Sequence, residues 1–243
     1  MPEKKLNQLK ILAVIGIRSG SSSIKDKNIK ILGKRPLVEW IIRSAKKSVL
    51  INRIVISTDS KKYAKIVKNL NVDSYIRPKN ISGKFSKEIS FVKYLIKLLK
   101  KEKYNPDIIV RLLATCPFQK TKDIDVIIKK LIYNKKLDSS VIISEAKQHP
   151  AKALKIVKNK RKLVGYLDGK GESVTGQPRQ IFEKAYFRAN AIAFKTELLK
   201  KNTMTGKNVG YHIVSNQYNI DIDTLVDFKF AEFLIEKRLI QKK

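Results

Sequence analysis

Hydrophobic and polar positions along the chain follow two alternating rhythms. Short apolar runs, ILAVIGI (11–17), RIVIST (53–58), DIIVRLLA (107–114) and SSVIIS (139–144), have the continuous character of strands buried on both faces. Between them lie segments of helical period, PLVEWIIRSAKKSV (36–49), SKKYAKIVKNL (60–70), a long one over 86–102 and another over 122–134. In the long segment Ile89, Val92, Leu95, Ile96 and Leu99 recur at three- and four-residue spacings, forming the stripe of a helix that lies on a sheet. Strand and helix in alternation mean βαβ units, and right-handed crossovers then give a parallel sheet with helices on both faces.

After Ser144 the rhythm changes. AKALKIV and KLVGYL, within 152–167, read as a hairpin, and the glycine-rich DGKGESVTGQPRQ (168–180) that follows has no helical period. Strand character returns in ANAIAF (189–194) and GYHIVSN (210–216). Leu225 to Leu239 forms a closing amphipathic helix, with Asp223-Thr224 as its cap. The pattern predicts one α/β domain over 1–243, a doubly wound and mostly parallel sheet, with an inserted arm over 145–187.

Composition narrows the setting. A chain of 243 residues can bury a substantial core. No apolar run approaches the roughly 20 residues that a membrane-crossing helix needs. The start, MPEKKLNQLK, lacks the small-residue cleavage pattern of a signal peptide, and the single Cys116 allows no intramolecular disulfide. A cytoplasmic protein is expected. The 53 Lys+Arg against 21 Asp+Glu give a net charge of +32, which raises the question of a polyanionic partner. The lysines are spread over nearly every predicted helix instead of one basic stripe, so solvated helix faces account for them better than a nucleic-acid footprint.

Three stretches carry candidate chemistry. The first is the loop after the first strand, IGIRSGSSSIKDKNIK (15–30). Ligands of doubly wound sheets bind outside the carboxyl ends of the strands. Here Gly20 and Ser21 to Ser23 allow backbone N–H groups close to an anion, and Arg18 and Lys27 add charge that phosphate oxygens favour. The chemistry suits a triphosphate, although the loop is neither a Walker A motif nor a GxGxxG turn, and a solvated Lys/Ser turn has the same composition. The second is YNIDIDT (218–224). In extended backbone Asp221 and Asp223 project to one side while Ile220 and Ile222 enter the core, and paired carboxylates that meet phosphates suit Mg²⁺; an exposed strand end with a helix cap is the alternative. The third is GQPRQ (176–180) with YFRANAIAF (186–194), whose Arg179 and Arg188 have the planar fork that suits a carboxylate or a phosphate.

In this order the stretches resemble the CMP-sialate synthetases, or acylneuraminate cytidylyltransferases, and more distantly the CMP-Kdo synthetases. The resemblance is carried by R-x-G-S-x-x-I-x-x-K-N-I (18–29), GKRPLVEW (33–40), IVISTD (54–59), IRP (76–78), ATCP (114–117), QPRQ (177–180), FRAN (187–190) and IDIDT (220–224). It implies a Rossmann-like, nucleotide-diphospho-sugar transferase-like fold. It also implies a reaction in which the anomeric hydroxyl of an acidic 2-keto sugar attacks the α-phosphate of CTP and pyrophosphate departs. On that resemblance Arg18, Lys27 and Asp223 would act at the reacting phosphate. Ser21, Ser22, Asn28, Arg77 and Ser82 would complete the nucleotide site, Asp221 and Asp223 would hold Mg²⁺, and Arg179, Gln180, Arg188 and Asn190 would line the sugar pocket. The family is typically homodimeric, and the arm would complete the neighbour's sugar pocket.

The sequence departs from the family pattern at three places. Ser22 stands where the family has a lysine, and Lys25 is a candidate to supply that charge from another direction. Leu113-Ala114 replaces a segment with a glutamine that can touch the sugar, and Ser82-Gly83-Lys84 replaces an acidic one. The departures leave the sugar open. They also keep a second reading, a catalytically impaired nucleotide-sugar or nucleic-acid binding protein of the same fold.

Overall fold

The computed structural model describes residues 9–157, 161–167 and 177–240. Its centre is a seven-stranded sheet in the order β11-β7-β10-β6-β1-β4-β5. In chain order the strands of this sheet are β1 (Ile11–Ile17), β4 (Arg53–Thr58), β5 (Asp73–Ile76), β6 (Ile108–Leu112), β7 (Ser139–Glu145), β10 (Tyr186–Lys195) and β11 (Val209–Ile213). β2 (Ile31–Leu32) and β3 (Arg35–Pro36) form a small ribbon, and β8 (Leu154–Val157) and β9 (Lys162–Gly165) pair antiparallel as the predicted hairpin. All neighbours in the main sheet run parallel except β10, which is antiparallel to both β6 and β7. The mostly parallel, doubly wound architecture is therefore as the apolar rhythm predicts. β10 starts three residues before the predicted run and shifts register between Arg188 and Ile192.

Among the described residues four α-helices cover the sheet, α1 (Leu37–Lys46), α2 (Lys61–Lys68), α3 (Glu88–Lys101) and α4 (Thr121–Tyr133), and a fifth, α5 (Leu225–Glu236), packs on the loops and the β2 ribbon. Strand residues alternate between two cores. Ile11, Ala13, Ile15 and Ile17 of β1 pack with α1, α2 and α4, while Leu12 and Val14 pack under α3, whose predicted stripe from Ile89 to Leu99 is fully enlisted. Each fully buried aliphatic side chain of this kind contributes about 1.5–3 kcal/mol of transfer free energy. A third core lies under α5, where Phe228, Ala231 and Leu234 meet Ile24, Leu32, Leu37, Phe118 and Ile222.

That third core positions the site, because Ile24 belongs to the loop after β1 and Ile222 to the IDIDT segment. Two loops 200 residues apart are seated on one helix. α5 begins at Thr224, whose hydroxyl accepts from the Asp227 N–H while the Asp227 carboxylate accepts from the Thr224 N–H, a reciprocal capping box. No helix among the described residues is long and apolar enough to cross a membrane.

Candidate active site

A cavity of about 560 Å³ opens at the carboxyl ends of the strands, the place where a doubly wound sheet binds its ligand. Its wall includes Arg18, Ser21, Ser22, Lys27, Asn28, Arg77, Ser82 and Asp223, so these eight predicted residues converge on one space. Gly16, Lys84, Glu88, Phe91, Leu113, Ala114 and Thr115 also line it.

The loop after β1 is fastened on several sides. The Ser19 N–H and hydroxyl donate to the two carboxylate oxygens of Asp59, at 2.9 and 3.1 Å, from the end of the neighbouring strand β4. Asn28 Nδ2 donates to the Arg18 carbonyl at 3.0 Å. Asp26 has a left-handed backbone, φ 54°, and accepts from Lys62 Nζ at 2.8 Å and the Tyr63 hydroxyl at 2.9 Å. Those two donors hold the Asp26 carboxyl below its ordinary range, and burial followed by the same hydrogen bond pushes the Tyr63 phenol up.

Lys27 is only 9% exposed, and its ammonium donates to the Ile222 carbonyl at 2.7 Å and to Asp223 Oδ1 at 3.1 Å. The Ser23 hydroxyl donates to the Asp223 carbonyl. The Asp223 side chain itself remains 75% exposed at the cavity. Arg77 follows β5. Its N–H donates to the Thr58 carbonyl at 2.7 Å, and its guanidinium lies 4.7 Å from the centre of the Phe91 ring. Burial lowers its pKa, opposed by the nearby charges of Asp59 and Glu88, and its buried Nε has no partner among the described residues. The Ser82 hydroxyl donates to the Pro78 carbonyl at 2.8 Å.

Of the predicted carboxylate pair, Asp223 lines the cavity. Asp221 is exposed and does not line the cavity; its carboxylate interacts with the Cys116 thiol, whose pKa is pushed well up by burial and by that negative charge. The IDIDT segment joins no sheet ladder over 220–223; Ile222 donates its N–H to the Thr115 carbonyl at 2.9 Å instead. The isoleucines do enter the core, Ile222 completely.

Of the predicted sugar residues, Gln180, Arg188 and Asn190 do not line this cavity. Gln180 and Arg188 are exposed, Arg188 paired with Ile143 across β10 and β7. Asn190 is buried, its Nδ2 donating to Asn219 Oδ1 and its carbonyl accepting from Arg111 at 3.3 Å. Arg179 starts a 3-10 turn, and its side chain lies outside the described residues, as does 168–176 of the glycine-rich stretch. Lys25 is exposed and does not line the cavity, so the structure does not bring it to the position left by Ser22.

Four contributors have no role in the sequence reading. Asp59 sits in the IVISTD motif, but nothing in a strand-end aspartate announces which loop it fastens. Phe91 is four residues before Leu95 on α3 and carries Arg77 on its ring. Gly16 is required by that ring, since a Cβ there would lie 2.6 Å from Phe91 Cζ. Glu88 meets Arg111 at 3.3 Å behind the wall.

Among the described residues no group of three or more His, Cys, Asp or Glu side chains could hold a metal ion by itself. Magnesium usually takes one or two carboxylates together with substrate phosphates and water. The exposed Asp223 carboxylate on a cation-lined cavity fits that mode.

The fold is shared with solved structures. A structure of CMP:2-keto-3-deoxy-manno-octonic acid synthetase complexed with CTP matches it with a TM-score of 0.69 and 13% identity, over 94% of this chain and 99% of that one. The chain belongs to the cytidylyltransferase family, whose model matches residues 12–242. It is similar to post-translational flagellin modification protein B of Campylobacter coli, 29% identical over 96% of this chain and 98% of that protein. It is also similar to the N-acylneuraminate cytidylyltransferase of Escherichia coli, 24% identical over 96% of this chain and 54% of that longer protein.

Proposed function

We propose that the protein activates an acidic 2-keto sugar, sialic acid or a related nonulosonate, with CTP to give the CMP-sugar and pyrophosphate. The observation that carries this reading is the convergence of Arg18, Lys27, Arg77 and Asp223 on one cavity in a chain of the cytidylyltransferase family. Relatives that act on N-acylneuraminate support the class of sugar.

The reaction is one displacement. The anomeric oxygen of the sugar bonds to the α-phosphorus while the bond from that phosphorus to the bridging oxygen breaks, and its electron pair leaves with pyrophosphate. Little covalent work falls to the protein, so positioning and charge neutralisation dominate. Arg18 and the backbone of Gly20 to Ser23 would cradle the phosphates, with Ser21, Ser22 and Asn28 on the nucleotide wall. Lys27 holds Asp223 in place and offers its remaining N–H to a phosphate oxygen. Arg77, stiffened by Phe91 and with its Nε unsatisfied, would face the cytidine side, and Ser82 borders it. Asp223 would hold Mg²⁺ together with the triphosphate oxygens, and that ion would supply neutralisation of the charge moving to pyrophosphate. The hydroxyl proton would pass to a water in the open cavity, oriented by Asp223. The acidic sugar would approach from the side of Arg179, Gln180, Arg188 and Asn190.

The reading includes a homodimer and a cytoplasmic setting, where CTP is made. The hairpin of β8 and β9 supports the dimer, because Leu154, Ile156 and Leu163 are exposed on this two-stranded sheet, and Leu167 is exposed in the turn just after it. The test is pyrophosphate release from CTP and Mg²⁺ with sialic, legionaminic, pseudaminic and Kdo sugars. Release with one of them is expected. No release with any, alongside salt-dependent binding to nucleic acid, would favour the impaired binding protein.

A further inference from the structure

We infer that Lys84 is a triphosphate-binding cation, delivered from the turn before α3, and that it supplies the charge absent at Ser22. The inference rests on the cytidylyl-transfer reading and assigns a new contact within that site.

The charges of the cavity show why. Four cations line it, Arg18, Lys27, Arg77 and Lys84, against two acids, Glu88 and Asp223. Both acids are already engaged, Asp223 by Lys27 and Glu88 by Arg111 behind the wall. Lys84 is exposed, and among the described residues its ammonium makes no ion pair; the Phe85 ring centre lies 5.9 Å from it. Lys84 lines the same concave site as Arg18, Lys27 and Arg77 with no ion pair of its own among the described residues, and a bound polyanion would engage that charge.

The local backbone supports this use. The turn satisfies its own polar groups, Ser82 donating its N–H to Lys79 and its hydroxyl to Pro78, and Ser86 donating its N–H to Gly83. Gly83, Lys84 and Ser86 all line the cavity, while Phe85 is 92% exposed. Apart from the Phe85 ring, no group of the turn engages the ammonium among the described residues. A long, flexible point charge suits a phosphate chain whose oxygens move as pyrophosphate leaves. Ser22 lines the same cavity with a short neutral side chain, and Lys25 does not line it. A cation is therefore missing from one wall and surplus on another.

The test is calorimetric titration of CTP, CMP and the acidic sugar into wild-type protein, Lys84→Ala, Lys25→Ala and Ser22→Lys/Lys84→Ala. Loss of a charge-assisted contact to the β- or γ-phosphate should weaken CTP by about tenfold or more. CMP and sugar affinity should stay unchanged, Lys25→Ala should bind as wild type does, and the double variant should recover most of the loss. Melting curves confirm the fold of each variant. Wild-type CTP affinity in Lys84→Ala would overturn the assignment alone, as would a loss confined to the sugar. Wild-type protein that binds no CTP would sink the cytidylyl reading, and this assignment with it.

Discussion

Lys27 has already committed two of its three donors, to the Ile222 carbonyl and to Asp223. A residue that reads in sequence as a mobile phosphate charge is in the structure also a strut, and the difference decides what its partner does. Asp223 is held at the cavity, whereas Asp221 is drawn to the Cys116 side. We therefore expect Asp223→Asn to reduce kcat by about 100-fold or more, as loss of one preorganised charge at a reacting phosphate commonly does. The fold should persist, because the amide oxygen still accepts from Lys27; circular dichroism checks this. Asp221→Asn should cost much less, and equal losses in the two would return Asp221 to the site. Residue identities at the site were legible where a side chain announces chemistry, as Arg18, Lys27 and Asp223 do. They were not legible where the role depends on a partner far along the chain, as with Asp59 and Phe91.

The loop after β1 works as an element because it is fixed before any ligand arrives. Asp59 takes both donors of Ser19, and without them Arg18 and the serines would have to be ordered on binding, at a cost set against affinity. Asp59→Ala should raise KM for CTP by about tenfold with kcat little changed, since two modest hydrogen bonds are lost from positioning and none from the reacting atoms. Steady-state kinetics separates the two constants. β1, β4, β6, β7 and the helices were readable because burial on known faces writes a period into the sequence. β5 was not. It is a four-residue edge strand with no fully buried position, so no apolar run marks it. The direction of β10 was equally unreadable, because Ala191 to Phe194 have the same buried character whichever way the strand pairs. Arg188 and Asn190 precede or sit in the register shift of that strand, where alternation ceases to report facing.

For the whole molecule, charge sets both recognition and stability. A net charge of +32 should draw a trianionic nucleotide toward a cationic cleft, an attraction that salt screens. Local hydrogen-bond donors hold particular carboxylates ionised. Asp138 is kept below its ordinary range by the N–H groups of Asn208 and Lys207, and Asp26 by Lys62 and Tyr63. In each case the folded form gives up its proton more readily than the unfolded chain. The contribution is thus complete above the ordinary carboxylate value of about 4 and is lost as pH falls through the lower folded value. Unfolding midpoints should be flat near neutrality and fall below about pH 4, and Asp138→Asn should lower the neutral plateau and make the acid decline shallower. A wild-type midpoint independent of pH down to 2 would contradict this. One feature reaches beyond equilibrium. The contacts of Ser23, Ile24 and Lys27 with Ile222 and Asp223 join stretches separated by nearly the whole chain. During synthesis the catalytic pocket therefore has no floor until residue 224 has left the ribosome, and a nascent or prematurely ended chain, however well its sheet has begun to form, holds no competent site with which to consume CTP.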